Sequence, residues 1–278
     1  MTTGWKTIEV PGARLRYALR GTGPLLLLIA GGDGDATTSA GLASQLDDRY
    51  TVLTYDRRGL SGSAITGQER PLTLTTHADD VHRLLAALTS EPVQVYGSSL
   101  GAMVGLELVS RHPGQVSVLV AHEPPAFQLL PEPERSEARQ AQRDIEDTHR
   151  NEGVIPALRK FVVLAGLDLT DREPDAPIKA PGMDRLANLE FFLSNDAPAV
   201  RRHELDIPAL KAASTRVVAA AGATSARIWP HRCARLLAEA LGAPCVEFPG
   251  GHNAGVLRPR AFAARLHETL ARERPLPA

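Results

Sequence analysis

The chain is poor in cysteine, in aromatics and in net charge, and it has no long apolar run. Only Cys233 and Cys245 occur in 278 residues, neither in a Cys-x-x-Cys pair nor inside a Cys/His cluster. That argues against a thiol-ligated metal centre and a disulfide-stapled scaffold, and two buried thiols in a reducing compartment are expected. Aromatics make up 4%, and 31 basic residues against 32 acidic ones leave a formal net charge of −1. A base-stacking platform is therefore not expected, nor the basic footprint that binds nucleic acid or an anionic membrane. The longest apolar run, residues 25–30, falls far short of the ~20 residues that span a bilayer. The first residues, Met1-Thr2-Thr3-Gly4-Trp5-Lys6, lack the basic-then-apolar layout of a secretory signal, so a cytoplasmic chain is expected.

What is present is an ordinary globular mixture, 43% hydrophobic and 23% charged, long enough to bury a sizeable core. Strand and helix signals alternate through the first 125 residues. Residues 7–10 and 14–20 flank the turn Pro11-Gly12 and read as a hairpin. Residues 25–30 are a continuous apolar run of the kind buried on both faces of a parallel sheet, and residues 50–55 read as a second buried strand. A helix is expected over 72–88, with Leu74, Val81, Leu84, Leu85 and Leu88 on one face, and another over 100–112. Strands over 92–96 and 115–121 frame the second helix. From 126 to 206 the β signal disappears and helical patterns appear around 157–165 and 184–193. Strands over 215–221 and 244–248 and helices over 231–241 and 260–272 then resume the alternation. The organisation is a doubly covered, mostly parallel sheet of eight strands, built from residues 1–125 and 207–278. An all-helical insertion, 126–206, follows the sixth strand and falls at the sheet edge where such folds bind ligands, so it reads as a lid.

The sharpest chemical signal is Gly97-Ser98-Ser99-Leu100-Gly101, a Gly-x-Ser-x-Gly pentapeptide between a strand and a helix. A turn that tight strains the central serine and tolerates only small neighbours, and it lifts the Ser99 hydroxyl above the sheet edge. The backbone N–H of Leu100 then faces any negative charge that develops there. A serine nucleophile needs a base, and His252 in the loop Pro249-Gly250-Gly251-His252-Asn253-Ala254-Gly255 follows the last strand. His77, His82, His112, His149, His203 and His267 fall on helices or their ends, His231 starts a helix, and His122 points into the sheet. A second oxyanion donor is expected from the loop Gly31-Gly32-Asp33-Gly34-Asp35, with the N–H of Gly32 the best placed. A phosphate-cradling role for that loop does not fit, because no Gly-x-Gly-x-x-Gly follows.

Together these residues resemble the α/β-hydrolase superfamily over nearly the whole chain. Asp56-Arg57-Arg58-Gly59-Leu60-Ser61-Gly62-Ser63 is similar to that family's structural Asp-x-Arg-Gly-x-Gly-x-Ser segment. The family usually places its catalytic acid after the penultimate strand, yet no Asp or Glu occurs between Ile207 and Ala238. Glu123, in Ala121-His122-Glu123-Pro124-Pro125 at the end of the sixth strand, is the candidate acid, a position that a minority of the superfamily uses. A plainer role as a hinge residue paired with an arginine competes with it. The Ala-His-Glu-x-Pro segment and the late Pro-Gly-x-His loop look like those of zearalenone-type lactone hydrolases. Those enzymes clamp an aromatic ring with a lid tryptophan, whereas Trp5 and Trp229 both lie outside the insertion here.

The resemblance implies Ser99, Glu123 and His252 as a triad and the N–H groups of Gly32 and Leu100 as the oxyanion hole. Serine at position 99 sets the chain apart from the dehalogenases and epoxide hydrolases of the superfamily, which use Asp there. Gly31, Asp33, Phe127, Phe161, Met183 and Phe192 are the expected substrate contacts, while more than half of the apolar insertion residues are expected to pack against each other. No metal and no organic cofactor is implied. The expected partner is a small-molecule substrate, neither nucleic acid nor membrane, and a homodimer stays open. The leading expectation is an esterase or lactonase acting through an acyl-enzyme. Cofactor-free carbon–carbon bond hydrolysis or acyl transfer on the same triad is the alternative within enzymes. A non-catalytic small-molecule binder of the same fold is the alternative outside them.

Overall fold

Nine strands form one sheet in the computed structural model, which describes residues 4–67, 71–176 and 183–272. They are β1 (Lys6–Val10), β2 (Ala13–Arg20), β3 (Leu25–Ile29), β4 (Thr51–Tyr55), β5 (Ala64–Ile65), β6 (Val93–Ser98), β7 (Val116–His122), β8 (Arg216–Gly222) and β9 (Val246–Phe248). The order across the sheet is β1-β2-β4-β3-β6-β7-β8-β9, with β5 beside β2. The β1–β2 hairpin, β5 and the β2–β4 pairing are antiparallel, and every pairing from β4 to β9 is parallel. The eight strands expected are all there. The ninth, β5, is a two-residue exposed pairing on the hairpin and too short to leave a periodic signal. It shifts the count, so the expected sixth strand is β7.

The apolar runs behave as the pleat requires. In β3, Leu27 and Ile29 join the larger core cluster on one face, while Leu26 and Leu28 join the smaller one on the other. Helices Leu74–Ala86, Leu100–Arg111 and Trp229–Leu241 cover the first face. Helices Ala40–Ser44 and Pro259–Ala271 cover the second, through Leu42, Phe262 and Leu266. The expected helix over 72–88 starts two residues later because Thr73 caps it, its hydroxyl accepting from the N–H of Thr76 at 3.1 Å.

Between β7 and β8 the described regular structure is entirely helical. It comprises a turn at Phe127–Leu129, helices Glu134–Glu152, Val154–Leu164 and Met183–Phe191, a π-helical turn at Phe192–Asp196, and helix Ala197–Arg202. Helix Ile207–Ala212, capped by Asp206, then leads into β8. Specific contacts fasten this insertion to the sheet body. The Asn188 amide accepts from Ser61 N–H at 2.8 Å and donates to the Ser61 hydroxyl at 2.9 Å. Glu173 accepts from the N–H groups of Arg260 and Ala261, the free donors at the start of the last helix. The expected frayed tail, residues 275–278, and part of the Pro/Asp-rich stretch within 169–181 lie outside the described residues.

Parallel register decides where the functional loops emerge. Ile29 pairs with Gly97, Ser98 with His122, His122 with Ala220, and Gly222 with Phe248. The loops after β3, β6, β7, β8 and β9 therefore all leave from one rim.

Candidate active site

Ser99 stands at that rim with φ 53° and ψ −117°, outside the regions open to ordinary side chains. Its N–H donates to His122 O at 2.8 Å, and its carbonyl accepts from Ala102 and Met103, so the turn is held at both ends. The glycine neighbours are a steric necessity. A Cβ on Gly97 would lie 2.4 Å from Gly101 O, and one on Gly101 would lie 2.2 Å from Ile29 O. Leu100 opens the following helix immediately after the serine.

Glu123 is the second non-glycine residue of the rim at positive φ, 48°, and it is fully buried. Its N–H donates to Ala220 O at 2.9 Å, which turns the side chain across the end of β8. Oε2 there accepts from His252, with Nδ1 at 2.7 Å. Oε1 accepts from the Gly222 N–H at 2.8 Å and from the Ser225 hydroxyl, and His231 Nδ1 lies 3.4 Å away. Burial by itself would raise this carboxyl; the hydrogen bonds from His231 and His252 outweigh it and hold it well below the usual carboxylate range. The competing pairing with an arginine is not what the structure shows.

Ser225 and His231 went unread in the sequence as partners of the acid. Ser225 sits in the loop after β8, where the family's usual pattern would put an acid, and its hydroxyl donates to the Glu123 carboxylate. No local signal marks such a role. His122 lies fully buried, edge-on to the rings of Phe248 and Phe262, with neither ring nitrogen hydrogen-bonded. Burial pushes its pKa down to about 4. The histidines expected away from the site are indeed elsewhere: His77 on Asp196, His82 stacked on His112, His149 on Glu190, His203 by Glu107 and His267 on Tyr50.

The loop after β3 is braced by Arg57, which is 1% exposed. Its guanidinium donates to the carbonyls of Ala30 at 2.7 Å, Gly34 at 3.3 Å and Gly32, and to Asp196 Oδ2 of the insertion at 3.2 Å. Gly32 itself has φ 49°, a left-handed conformation suited to glycine. Gly31 packs against Ser99: a Cβ there would lie 2.7 Å from Ser98 O. In the Asp-x-Arg-Gly-like segment the second arginine, Arg58, makes a buried bidentate pair with Asp80, a structural role as expected.

Ser99 and His252 line two adjoining cavities together. One lies under the insertion and is walled by Leu100, Pro125, Phe127, Ile145, Leu164, Phe192, Leu193 and Val200, with the polar Gln142 and Glu146 also in its lining. The other runs along the β3 loop past Gly31, Gly32, Asp33, Thr38, Ser39, Arg185 and Asn253. Phe161 borders both, edge-on to Phe192 with ring centroids 5.1 Å apart. Of the expected contacts, Gly31, Asp33, Phe127, Phe161 and Phe192 line these cavities, while the Met183 side chain lies outside the described residues. Phe191 turns away and packs over Gly59, and Leu130 and Leu189 are insertion core. Asp33 forms an ion pair with Arg185, 2.8 Å from Oδ2 to Nε, and burial raises its carboxyl above the usual value against the pull of that arginine. Among the described residues no group of three His, Cys, Asp or Glu side chains is arranged to hold a metal ion, and no helix is long and apolar enough to cross a membrane.

A strained serine between a strand and a buried helix, at the rim of a mostly parallel sheet, defines the class: the chain belongs to the alpha/beta hydrolase family, whose model matches residues 26–265. Its similarity to YraK, a hydrolase of Bacillus subtilis, is 40% identity over 279 residues, covering 99% of this chain and 98% of YraK. A thermophilic esterase from Thermogutta terrifontis has the same fold, with a TM-score of 0.76 at 20% identity over 96% of this chain and 98% of that one. The enol-lactonase of Burkholderia xenovorans is similar at a TM-score of 0.74 and 24% identity, over 96% of this chain and 100% of that one.

Proposed function

We propose that the protein is a serine hydrolase that cleaves an ester or lactone bond of a small, largely apolar molecule through an acyl-enzyme. The observation that carries this reading is the 2.7 Å contact between Glu123 Oε2 and His252 Nδ1, on an imidazole that shares its cavity with Ser99. Glu123 fixes the tautomer that leaves Nε2 free to accept a proton, and its charge stabilises the imidazolium as it forms. Ser99 Oγ attacks the substrate carbonyl while His252 takes its proton. The N–H groups of Gly32 and Leu100 bind the oxyanion, and one such donor is worth ~3 kcal/mol in similar sites. The leaving alkoxide then takes the proton back from His252, and a water activated by the same imidazole releases the acyl group. Residues 126–206 act as the lid over the core formed by 1–125 and 207–278.

A non-catalytic binder would be favoured by a site without an acid, and the carboxylate on His252 removes that argument. The likeness to zearalenone lactone hydrolases rests on motif layout alone. The experiment is labelling with a fluorophosphonate, read by peptide mass spectrometry, together with hydrolysis of a short p-nitrophenyl ester. Labelling at Ser99, with both label and turnover lost in Ser99→Ala, is expected. An unlabelled Ser99 in a folded protein overturns the reading.

A further inference from the structure

The two cavities that meet at Ser99 differ in chemistry. The side under the insertion is mostly carbon, from Leu100, Phe127, Ile145, Phe192 and Val200; of its polar residues Gln142 is uncharged and Glu146 is paired with Arg201 at 2.6 Å. The side along the β3 loop adds to the carbon of Phe161 and Leu167 the polar groups of Asp33, Thr38, Ser39, Arg185 and Asn253. A carbonyl held over Ser99 has two substituents, one for each side. Resting on the reading of Ser99 as nucleophile, we infer that the substrate is an ester of unlike halves, one apolar and one carrying a neutral hydrogen-bond donor such as a hydroxyl or amide, with Asp33 as the residue that selects the polar half.

The charges in the polar cavity decide that the donor is neutral. Asp33 and Arg185 lie as a pair, Nε to Oδ2 at 2.8 Å and Nη2 to Oδ1 at 3.2 Å, so they cancel each other. A carboxylate arriving there would gain Arg185 but meet Asp33 at nearly the same range. An alkyl group would cover the remaining exposed part of the Asp33 side chain, 12%, without replacing the water that solvates it. A hydroxyl or amide N–H replaces that water with a bond to a charged acceptor. Arg185 reaches in from helix Met183–Phe191 and is half exposed, so it closes the cavity from the insertion side.

The test compares isosteric esters on the full-length protein, each rate divided by that of hydroxide-catalysed hydrolysis. The first pair is 2-hydroxyethyl against n-propyl phenylacetate; the second, with the halves reversed, is 2-phenylethyl glycolate against 2-phenylethyl propanoate. Carboxymethyl phenylacetate tests charge. In one of the two pairs the hydroxyl ester is expected to lead its isostere by roughly ten- to a hundredfold in kcat/KM, the range of a hydrogen bond to a charged group. That ratio falls to near one in Asp33→Ala, and Arg185→Gln, at a half-exposed position, widens the penalty on the carboxymethyl ester. Ratios within threefold in both pairs, a ratio that survives Asp33→Ala, or a preference for the carboxymethyl ester would overturn the inference. Fluorophosphonate labelling of Ser99 separates the two failures: labelled enzyme without the preference loses only this inference, whereas a folded, unlabelled enzyme loses the nucleophile as well.

Discussion

Glu123→Gln is the most informative single substitution, because the structure dictates which way the new amide must face. Oε1 of Glu123 receives the Gly222 backbone N–H at 2.8 Å, a donor that cannot reverse its role. The Gln oxygen is therefore held on that side, and its NH2 group points at His252 Nδ1, which now lies 2.7 Å from Oε2. Two donors cannot face each other, so the imidazole proton moves to Nε2. That is the nitrogen that has to accept the Ser99 proton. Loss of the correct tautomer costs ~10⁴ in kcat in the well-studied serine triads, about 5 kcal/mol at the transition state. The assay is steady-state hydrolysis of a p-nitrophenyl ester, with thermal melting to confirm the fold and ¹⁵N NMR of the imidazole to locate the proton. KM should change little, since Glu123 is fully buried behind His252. A kcat within tenfold of the parent, in a folded variant whose His252 proton has moved, would refute the assignment of Glu123 as the acid.

Two further outcomes follow from buried groups. His122 holds its pKa at about 4 by burial, against about 6.5 in an unfolded chain. The unfolded state binds the extra proton first, so its stabilising effect is intact above pH 6.5 and is lost as pH falls toward 4, by about 3 kcal/mol in all. Urea unfolding between pH 7 and pH 4 should show that loss, and His122→Phe, set among Phe248 and Phe262, should flatten it; an unchanged pH slope contradicts the argument. Arg57→Met leaves the fully buried Asp196 with only His77, so a loss of about 3–5 kcal/mol in chemical denaturation is expected, while a loss below 1 kcal/mol would mean Asp196 finds another partner.

The amino-acid order alone determined what depends on neighbours along the chain. Residues 25–30 announced a strand buried on both faces, and Gly97-Ser98-Ser99-Leu100-Gly101 announced the strained serine, since only small residues fit a turn whose atoms come within 2.4 Å of an added Cβ. The lack of any acid from 207 to 238 pointed back to Glu123 by elimination and resemblance. Tertiary structure decided the rest. Glu123 and His252 are 129 positions apart, and only the parallel register of β7, β8 and β9 puts their side chains in contact. Ser225 on the acid, Arg57 gripping the β3 loop and Asp196 of the insertion, and Asp33 facing Arg185 leave no periodic trace. Hydrophobic periodicity records which face of an element is buried; it carries no information about which polar side chains, far apart in the chain, share one solvent-poor space and must satisfy each other there.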